Sequence, residues 1–242
     1  MHDDIKRVMV VMAHPDDPEF GAGGTVAKWV HEGKEVVYVL VTSGDKGSRD
    51  LEMTPERLAR LREKEQQAAA RRLGVSQVIF LRYTDGEVMP DLQLRRDVTR
   101  EIRRWRPDAV ICQNPTTYYV NGYINHPDHR AVGEATLAAV FPTARDHLNF
   151  PEHRTEGLEP HKVQKVYLNI SPDADTFIDI ADTMEVKIEA LWEHRSQFDD
   201  PEGVADHIRE RAEQTARRAR EQGADVGEYA EAFKLIDLTL RG

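Results

Sequence analysis

The sequence predicts an α/β protein with a mostly parallel β-sheet that is covered by helices on both faces. Short apolar segments alternate with amphipathic ones along the chain, and a polar cluster follows each of the first four apolar segments. Successive strand–helix repeats favour a parallel sheet with right-handed crossovers. At 242 residues the chain can bury a substantial core, and its 40% hydrophobic and 31% charged residues are typical of a globular protein.

Four short runs rich in β-branched residues are predicted to be the buried strands. They are residues 7–13 (RVMVVMA), 35–44 (EVVYVLVTSG), 77–81 (QVIFL) and 108–114 (DAVICQN). Continuous apolar runs of this length indicate strands that are buried on both faces, as in parallel sheets. Two later runs, KVYLNI and TFIDI, have the same character.

The amphipathic segments between these runs are predicted to be helices. They span residues 23–33, 54–75, 91–107 and 126–141, and two more follow at 184–198 and 204–223. The clearest is the second, because Thr54 suits the N-cap, Pro55 the first turn and Gly74 the end of the helix.

Together these segments predict a single domain over residues 1–242. Residues 1–145 are expected to form a Rossmann-like, doubly wound core, and residues 146–242 to supply C-terminal strands and helices that complete it. The polar segment 145–162 is too broken for a core element. We expect it to be a linker or a loop that faces the substrate.

Charge and composition limit the classes of partner. The formal charge of −10 and the pI of about 5.5 argue against nucleic acid or an anionic membrane as the main partner. The stretch MHDDIKR lacks the features of a signal peptide and no apolar stretch is long enough to span a bilayer, so we expect a cytoplasmic protein. Cys112 is interpreted as a small buried residue. A homo-oligomer is compatible with the sequence.

Ionisable residues follow the first predicted strand directly. The stretch VVMAHPDDPEFGAGGT places His14, Asp16, Asp17 and Glu19 within six residues. The other three strands are followed by SGDKGSR, YTDGE and PTTYYVNGYINHPDH. Because ligands bind beyond the carboxyl ends of the strands in open parallel sheets, we expect these loops to converge on one cleft.

The spacing of these residues predicts a metal site. His14 and Asp17 are separated by two residues in a turn, and adjacent carboxylates in a cleft need a cation to balance them. The fourth loop adds His126 and His129, which share a helix face if Pro127 begins a helix. His14, Asp17 and one of these two histidines would leave a free position on the metal, as in catalytic zinc sites. The lack of cysteine ligands favours catalytic zinc or a harder divalent ion.

Each feature also has an ordinary structural explanation. HPDD can be a helix N-terminus with its acidic groups at the positive end of the dipole, and H-x-x-H alone is weak support for a metal site. GAGG alone indicates only that the backbone closely approaches another group. We favour the metal site because the features coincide at the ends of two strands on one rim.

The segment AHPDDPEFGAGG, followed later by HPDH, resembles the LmbE-like, or PIG-L-type, family of zinc-dependent N-acetylglucosaminyl deacetylases. LREKEQQAAARRLGV, EALWEHRSQF and EYAEAFKLI resemble further parts of that family, so the resemblance covers nearly the whole chain. It implies a Rossmann-like fold and one zinc or other divalent ion per chain. It also implies removal of an N-acetyl group from an N-acetylglucosamine-type substrate by a metal-activated water.

The resemblance implies roles for individual residues around the reacting centre. His14, Asp17 and His129 match the metal ligands, Asp16 matches the general base, and His126 matches the histidine that stabilises the oxyanion or acts as an acid. Asp128 is expected to orient a histidine or to cap its helix, since metal-bound imidazoles usually need a hydrogen-bond acceptor behind them. Glu19 is expected either to act in the same way or to form a salt bridge.

Three further residues are candidate contacts to the substrate. Arg62 falls where the family has a substrate-binding arginine. Arg49 lies on the rim, where it can contact sugar hydroxyls or a phosphate. Tyr123 lies one position before the place at which some members carry a tyrosine, and Ile124 occupies that place here.

Other functions remain to be weighed against a deacetylase. An amidase that acts on thiol-conjugate amides would use the same metal chemistry. A nucleotide-binding protein without hydrolase activity would need G-x-G-x-x-G after the first strand, but HPDDPEFGAGG places four polar residues where the pyrophosphate would lie. A metallophosphoesterase usually needs more carboxylates and a second metal.

Overall fold

A computed structural model describes residues 5–120 and 122–239 of the chain. The strands are β1 (Arg7–Met12), β2 (Glu35–Thr42), β3 (Gln77–Tyr83), β4 (Ala109–Gln113), β5 (Tyr119–Val120), β6 (Tyr123–Ile124), β7 (Lys165–Asn169), β8 (Thr176–Asp179) and β9 (Ala230–Asp237). Seven of them form one sheet in the order β3-β2-β1-β4-β7-β9-β8, and β5 pairs with β6 in a separate hairpin. The pairs from β3 to β7 are parallel, whereas β9 runs antiparallel to both of its neighbours.

The helices cover both faces of this sheet. They are α1 (Asp17–His31), α2 (Pro55–Leu73), α3 (Leu92–Trp105), α4 (Pro127–Ala138), α5 (Glu152–Thr155), α6 (Met184–Leu191) and α7 (Pro201–Glu221). Helices α1, α2 and α6 pack on one face, and α3 and α4 pack on the other. No helix in the described ranges combines the length and hydropathy needed to cross a membrane.

Strand β1 lies inside the sheet and is buried on both faces. Val8 and Val10 belong to the core under α1 and α2, whereas Met9 and Val11 belong to the core under α3 and α4. Side chains alternate along a strand, so an uninterrupted apolar run is what a strand between two helical layers requires. The predicted α/β class, the mostly parallel sheet and the helices on both faces are therefore confirmed.

The first helix differs from the prediction, since it begins at Asp17 rather than at residue 23. Its glycines allow side chains of neighbouring elements to pack closely against the helix. A Cβ on Gly21 would lie 2.0 Å from Nδ2 of Asn169, and a Cβ on Gly24 would lie 2.7 Å from Cδ1 of Ile180. Glycine-rich sequence therefore marks contacts between this helix and its neighbours, not a turn that holds phosphate.

The end of the chain also differs from the prediction. Residues Ala230–Asp237 form β9, which joins β7 to β8, although the sequence analysis identified this stretch only by its resemblance. The polar residues Glu231, Lys234 and Asp237 interrupt this strand, so it lacks the continuous apolar run that predicted the parallel strands. Its antiparallel pairing explains the difference, because such strands often have one face that is less buried.

The polar segment 145–162 is held against α3 by one buried side chain. Arg103 is 1% exposed. Its guanidinium donates to five main-chain carbonyl oxygens, those of Thr143, Ala144, Asp146, Asn149 and Phe150, at 2.8–3.3 Å. An arginine can satisfy this many acceptors because its planar group carries five N–H donors.

Arg103→Met is expected to lower the free energy of unfolding by at least about 3 kcal/mol, because several buried carbonyl groups would lose their donor at about 1–3 kcal/mol each. Chemical denaturation measures this change. Arg104→Met is the matched control, since Arg104 lies one residue away, is half-exposed and, among the residues that the structure describes, pairs only with Glu101 on its own helix. This control should lower the free energy of unfolding by less than about 1 kcal/mol. Equal losses in the two variants would contradict the role given to Arg103.

Candidate metal centre and general base

Two loops at the carboxyl edge of the sheet bring the predicted metal ligands together. His14 lies in the turn between β1 and α1, and Asp17 is the first residue of α1. His129 lies in the first turn of α4, which begins at Pro127 as predicted and has His126 as its N-cap residue. Since β1 and β4 are neighbours in the sheet, these two loops meet although they are more than one hundred residues apart in sequence.

The donor atoms of three side chains face one another at uniform distances. His14 Nδ1 lies 3.3 Å from His129 Nε2 and 3.2 Å from Asp17 Oδ2, and His129 Nε2 lies 3.1 Å from Asp17 Oδ1. A tetrahedral zinc site with ligand distances of about 2.0–2.1 Å places neighbouring ligand atoms about 3.3 Å apart. The spacing of the donors therefore fits three vertices of such a site.

Hydrogen bonds on the Nδ1 side of the His129 ring determine which of its nitrogens is available to a metal. Its Nδ1 lies 2.9 Å from Oδ1 of Asn125, and the amide nitrogen of Asn125 donates to the carbonyl of Thr117 at 2.8 Å. The Asn125 oxygen is thus an acceptor, so Nδ1 of His129 carries the proton. This leaves Nε2 as the nitrogen that faces Asp17 and His14, the position that a metal ligand requires.

Two carboxylates hold the other histidine in the matching tautomer. Nε2 of His14 lies 3.1 Å from Oδ1 of Asp85 and 3.3 Å from Oδ2 of Asp128. Asp128 is fully buried and accepts from the backbone N–H groups of Gly86 and Val88, which fixes its position. Nε2 of His14 therefore donates to these carboxylates, and Nδ1 is the nitrogen that faces His129 and Asp17.

The charges around His14 and Asp17 favour a cation between them. Burial alone would lower the pKa of His14, but its hydrogen bonds with Asp128, Asp17 and Asp85 outweigh burial and raise that pKa well above the usual range. Burial would raise the pKa of Asp17, but His129 and His14 hold it well below the usual range. Asp17 is thus an anion, and it also accepts from the Gln113 amide at 2.9 Å.

His126 lies beside this cluster with a different hydrogen-bond pattern. Its Nδ1 accepts from the backbone N–H of Asp128 at 3.2 Å, so in the neutral ring Nε2 carries the proton. Burial and the neighbouring His14 lower the pKa of His126, which favours the neutral form at pH 7. The side chain is 36% exposed, so its N–H can reach a ligand.

Two overlapping sets of donors could hold an ion. Nitrogen atoms of His14, His126 and His129 lie within 4.8 Å of one another, and a second group contains His14, Asp85, His126 and Asp128. The second group is the weaker candidate, because Asp128 already accepts two backbone N–H groups and both carboxylates face Nε2 of His14, the nitrogen that carries the proton. The set of His14, Asp17 and His129 is the better site, because its donor atoms lie 3.1–3.3 Å from one another.

Asp16 is held in an unusual backbone conformation beside the metal ligands. Its φ is 86°, a value that costs a residue other than glycine about 1–3 kcal/mol and that persists where the surroundings enforce it. Its backbone N–H donates to Gln66 Oε1 at 2.9 Å, and Arg62 donates to the carbonyl of Pro15 at 2.8 Å. Arg62 also donates to Oδ2 of Asp16 at 3.1 Å. Two side chains of α2 therefore fix both the backbone and the carboxylate of Asp16.

The environment of Asp16 suits a proton acceptor. Burial raises its pKa to about 6, with Arg62 opposing the rise and the adjacent Asp17 adding to it. General bases work best when their pKa is near the operating pH. Asp16, the first aspartate of HPDD, is therefore suited to proton transfer, while the second, Asp17, is held as an anion.

Glu19 lies behind Asp16, and in the described structure its carboxylate bonds to Gln66 and His194 and not to the predicted metal ligands. It is fully buried, accepts from the amide of Gln66 at 2.9 Å and faces His194 Nε2 at 3.1 Å. Burial would lower the pKa of His194, but the hydrogen bond and charge of Glu19 outweigh burial and raise it. Glu19 thus forms the salt bridge that was one of its two predicted roles, and through Gln66 it supports the backbone of Asp16.

The three candidate substrate contacts lie in different environments. Arg62 is 4% exposed and is used within the protein, by the carboxylate of Asp16 and the carbonyls of Pro15 and Gly44. Arg49 is on the surface and pairs with Asp199. Tyr123 is 54% exposed on the hairpin that precedes His126.

Four residues that complete the site were not singled out from the sequence. They are Gln66, Asp85, Gln113 and Asn125, which respectively contact Asp16, His14, Asp17 and His129. Asp85 and Asn125 lie in the polar clusters YTDGE and PTTYYVNGYINHPDH, and Gln113 is the polar end of an apolar strand. Gln66 lies on the buried face of α2, four residues after Arg62 and eight after Leu58, so its helical spacing was the signal that could have identified it.

Fold and site together define an α/β protein with a metal-type donor set next to a buried carboxylate. The family described as "PIG-L: GlcNAc-PI de-N-acetylase" matches residues 9–140. The diacetylchitobiose deacetylase of Thermococcus kodakarensis is 36% identical over 201 residues, which are 83% of this chain and 73% of that protein. The chain therefore belongs to the PIG-L, or LmbE-like, family.

Solved structures agree with this assignment. The N,N'-diacetylchitobiose deacetylase from Pyrococcus horikoshii, complexed with its inhibitor MPG, superposes with a TM-score of 0.87 at 32% identity, covering 97% of this chain and 85% of that one. GalB, the 4-carboxy-2-hydroxymuconate hydratase from Pseudomonas putida KT2440, gives a TM-score of 0.79 at 24% identity over 96% of each chain. The second match shows a shared fold only, so the reaction has to be argued from the site.

Proposed function

We propose that this protein is a metal-dependent hydrolase that removes an N-acetyl or related acyl group from an N-acetylglucosamine-type substrate. One observation carries the proposal: Nδ1 of His14, Nε2 of His129 and the carboxylate of Asp17 converge within 3.3 Å, beside a buried carboxylate that is not part of the donor set. The 36% identical relative, a diacetylchitobiose deacetylase, supports the same substrate class.

The donor set fits zinc, which we propose as the ion, and other divalent ions accept the same ligands. His14, Asp17 and His129 would hold it. A divalent ion bound there supplies Lewis acidity, which activates water and polarises the acetyl carbonyl. An amide needs both effects, because water is a poor nucleophile and the amine a poor leaving group.

The other residues of the site handle protons and charge. Asp16 accepts a proton from the attacking water, and Arg62 keeps its carboxylate in place. His126 donates its Nε2 hydrogen to the oxygen that becomes negative as the carbonyl carbon turns tetrahedral. The leaving amine then takes a proton from Asp16 or from His126. We thus assign Arg62 to positioning of the base, and Arg49 and Tyr123 to the rim where the sugar enters.

Two alternatives make different predictions. An amidase for thiol-conjugate amides would use the same site, so only a substrate panel separates it from a sugar deacetylase. A nucleotide-binding role has no support from the glycines, since those of α1 make room for Asn169 and Ile180. The single-domain organisation, the cytoplasmic location and a homo-oligomeric state stay predictions.

Metal analysis and a substrate panel test the proposal together. The protein is expected to contain about one divalent ion per chain and to release primary amine from N,N'-diacetylchitobiose or methyl N-acetylglucosaminide, measured by a fluorescent amine assay. A chelator should abolish release and added zinc should restore it. Release from a thiol-conjugate amide alone would favour the amidase. Full activity of the metal-free protein would overturn the mechanism.

A further inference from the structure

A cavity of about 430 Å³ adjoins the metal site on the side of Asp17. It lies beyond the carboxyl ends of β4 and β7, between the first turn of α1, the start of β9 and one face of α7. Small-molecule sites commonly have volumes of about 300–1,000 Å³ and form beyond the carboxyl ends of strands in such sheets. The cavity is therefore large enough for a sugar substituent.

Helix α7 turns two arginines towards this cavity. Arg211 and Arg218 both line it, and their spacing of seven residues places them on one face of the helix, two turns apart. Arg218 also lies over the ring of Phe177, at 5.5 Å. Within the described part of the chain neither arginine forms an ion pair, whereas Arg209 on the same helix pairs with Glu185.

The acidic residues that line the cavity are already balanced. Glu231 pairs with Lys187 at 2.5 Å, and both side chains are buried. Glu231 also accepts from the backbone N–H groups of Gly24 and Thr25. Asp17 belongs to the metal site. The two arginines thus leave the cavity with an uncompensated positive charge in a protein whose formal charge is −10.

A buried amide provides a second polar feature of the cavity. Asn169 lines it, is 2% exposed, and its Oδ1 has no hydrogen-bond partner in the described structure. The close approach of Gly21 to the other end of this amide leaves no room for a side chain there. Buried polar atoms are nearly always paired, so this oxygen points to a ligand that donates a hydrogen bond, such as a hydroxyl group.

We propose that this cavity binds a carboxylate or phosphate group carried by the amino-sugar substrate, an inference that rests on the function proposed above. Arg211 and Arg218 hold the anion, and Asn169 accepts from a hydroxyl next to it. The acetamide of the same molecule reaches the metal ligands on the other side of Asp17. Guanidinium groups suit this task because they bind carboxylate and phosphate with two parallel hydrogen bonds.

The test compares a charged and a neutral substrate in the Arg211→Ala/Arg218→Ala double variant. With N-acetylglucosamine 1-phosphate, KM is expected to rise at least tenfold, while kcat changes little. With methyl N-acetylglucosaminide, both constants should stay within twofold of the wild type. Arg217→Ala is the matched control, since Arg217 is an exposed arginine of α7 that does not line the cavity. The Arg211→Lys/Arg218→Lys variant should keep part of the preference for the phosphate.

Calorimetric binding of the products gives a readout that needs no turnover. The wild type is expected to bind glucosamine 1-phosphate at least tenfold more tightly than methyl glucosaminide, and the double alanine variant is expected to lose this difference. If the difference is present although no acetyl group is released, the anion site stands and the proposed function fails. Equal binding of both ligands by the wild type would overturn the anion site. So would an equal effect of Arg217→Ala.

Discussion

His129→Ala is expected to lose the bound metal and to lower kcat/KM by roughly 10³-fold or more. Metal ions lower the activation free energy of such reactions by several kcal/mol, and a change of about 4 kcal/mol corresponds to roughly 10³-fold in rate. The variant removes one of only three proposed protein ligands and leaves Nδ1 of His14 and the carboxylate of Asp17 without their third partner. Metal content by mass spectrometry and amine release measure the two effects.

A graded variant and a control accompany this experiment. Asn125→Ala removes the acceptor that fixes the His129 ring and should lower metal affinity about 10–100-fold while leaving some activity at high zinc. His147→Ala changes an exposed histidine outside the site and should leave metal content and activity unaltered. If His129→Ala kept stoichiometric zinc and full turnover, the assignment of this ligand would be wrong.

Asp16→Asn is expected to keep the metal and to lower kcat by about 10²–10⁴-fold, the usual contribution of a general base. Asparagine has nearly the same shape and can still accept from Arg62 through its oxygen, but it cannot accept a proton from water at neutral pH. Steady-state kinetics with metal analysis of the same sample separates this effect from metal loss. The separation matters because Asp17, the next residue, is a proposed ligand.

One control and two contradicting outcomes complete the experiment on Asp16. Asp50→Asn removes an exposed carboxylate from the loop before α2 and serves as the control, with activity expected within twofold of the wild type. Full activity of Asp16→Asn would contradict its role as the base. Loss of zinc together with activity would show that Asp16 acts through the metal site instead.

The sequence was sufficient for the parallel sheet and for the residues that meet at its edge. Buried parallel strands are nearly continuous apolar runs, and their carboxyl ends place His14 and His129 on one rim. The apolar runs and the polar residues that follow them can be recognised locally in the sequence. The order of the strands in the sheet then brings these polar residues close together. The predicted ligands His14, Asp17 and His129 therefore come together in the structure.

The parts that escaped sequence reasoning depend on contacts between distant elements. Arg62 and Gln66 lie on the buried face of α2, and only the packing of this helix against the turn before α1 brings them to Asp16. Strand β9 lacked an apolar run because its pairing is antiparallel. Helix α1 begins early because the turn residues themselves provide its start, Asp16 as N-cap residue and Pro18 in the first turn.

The hydrogen bonds that hold Asp16 and those that hold the metal ligands belong to different parts of the molecule. The base depends on Arg62 and Gln66 of α2, whereas His129 depends on Asn125 and the loop before α4. A substitution that breaks the hydrogen bonds of Asp16 need not disturb those of His129. Zinc stoichiometry therefore does not report the fraction of competent molecules in a preparation, and active-site titration is needed to count them.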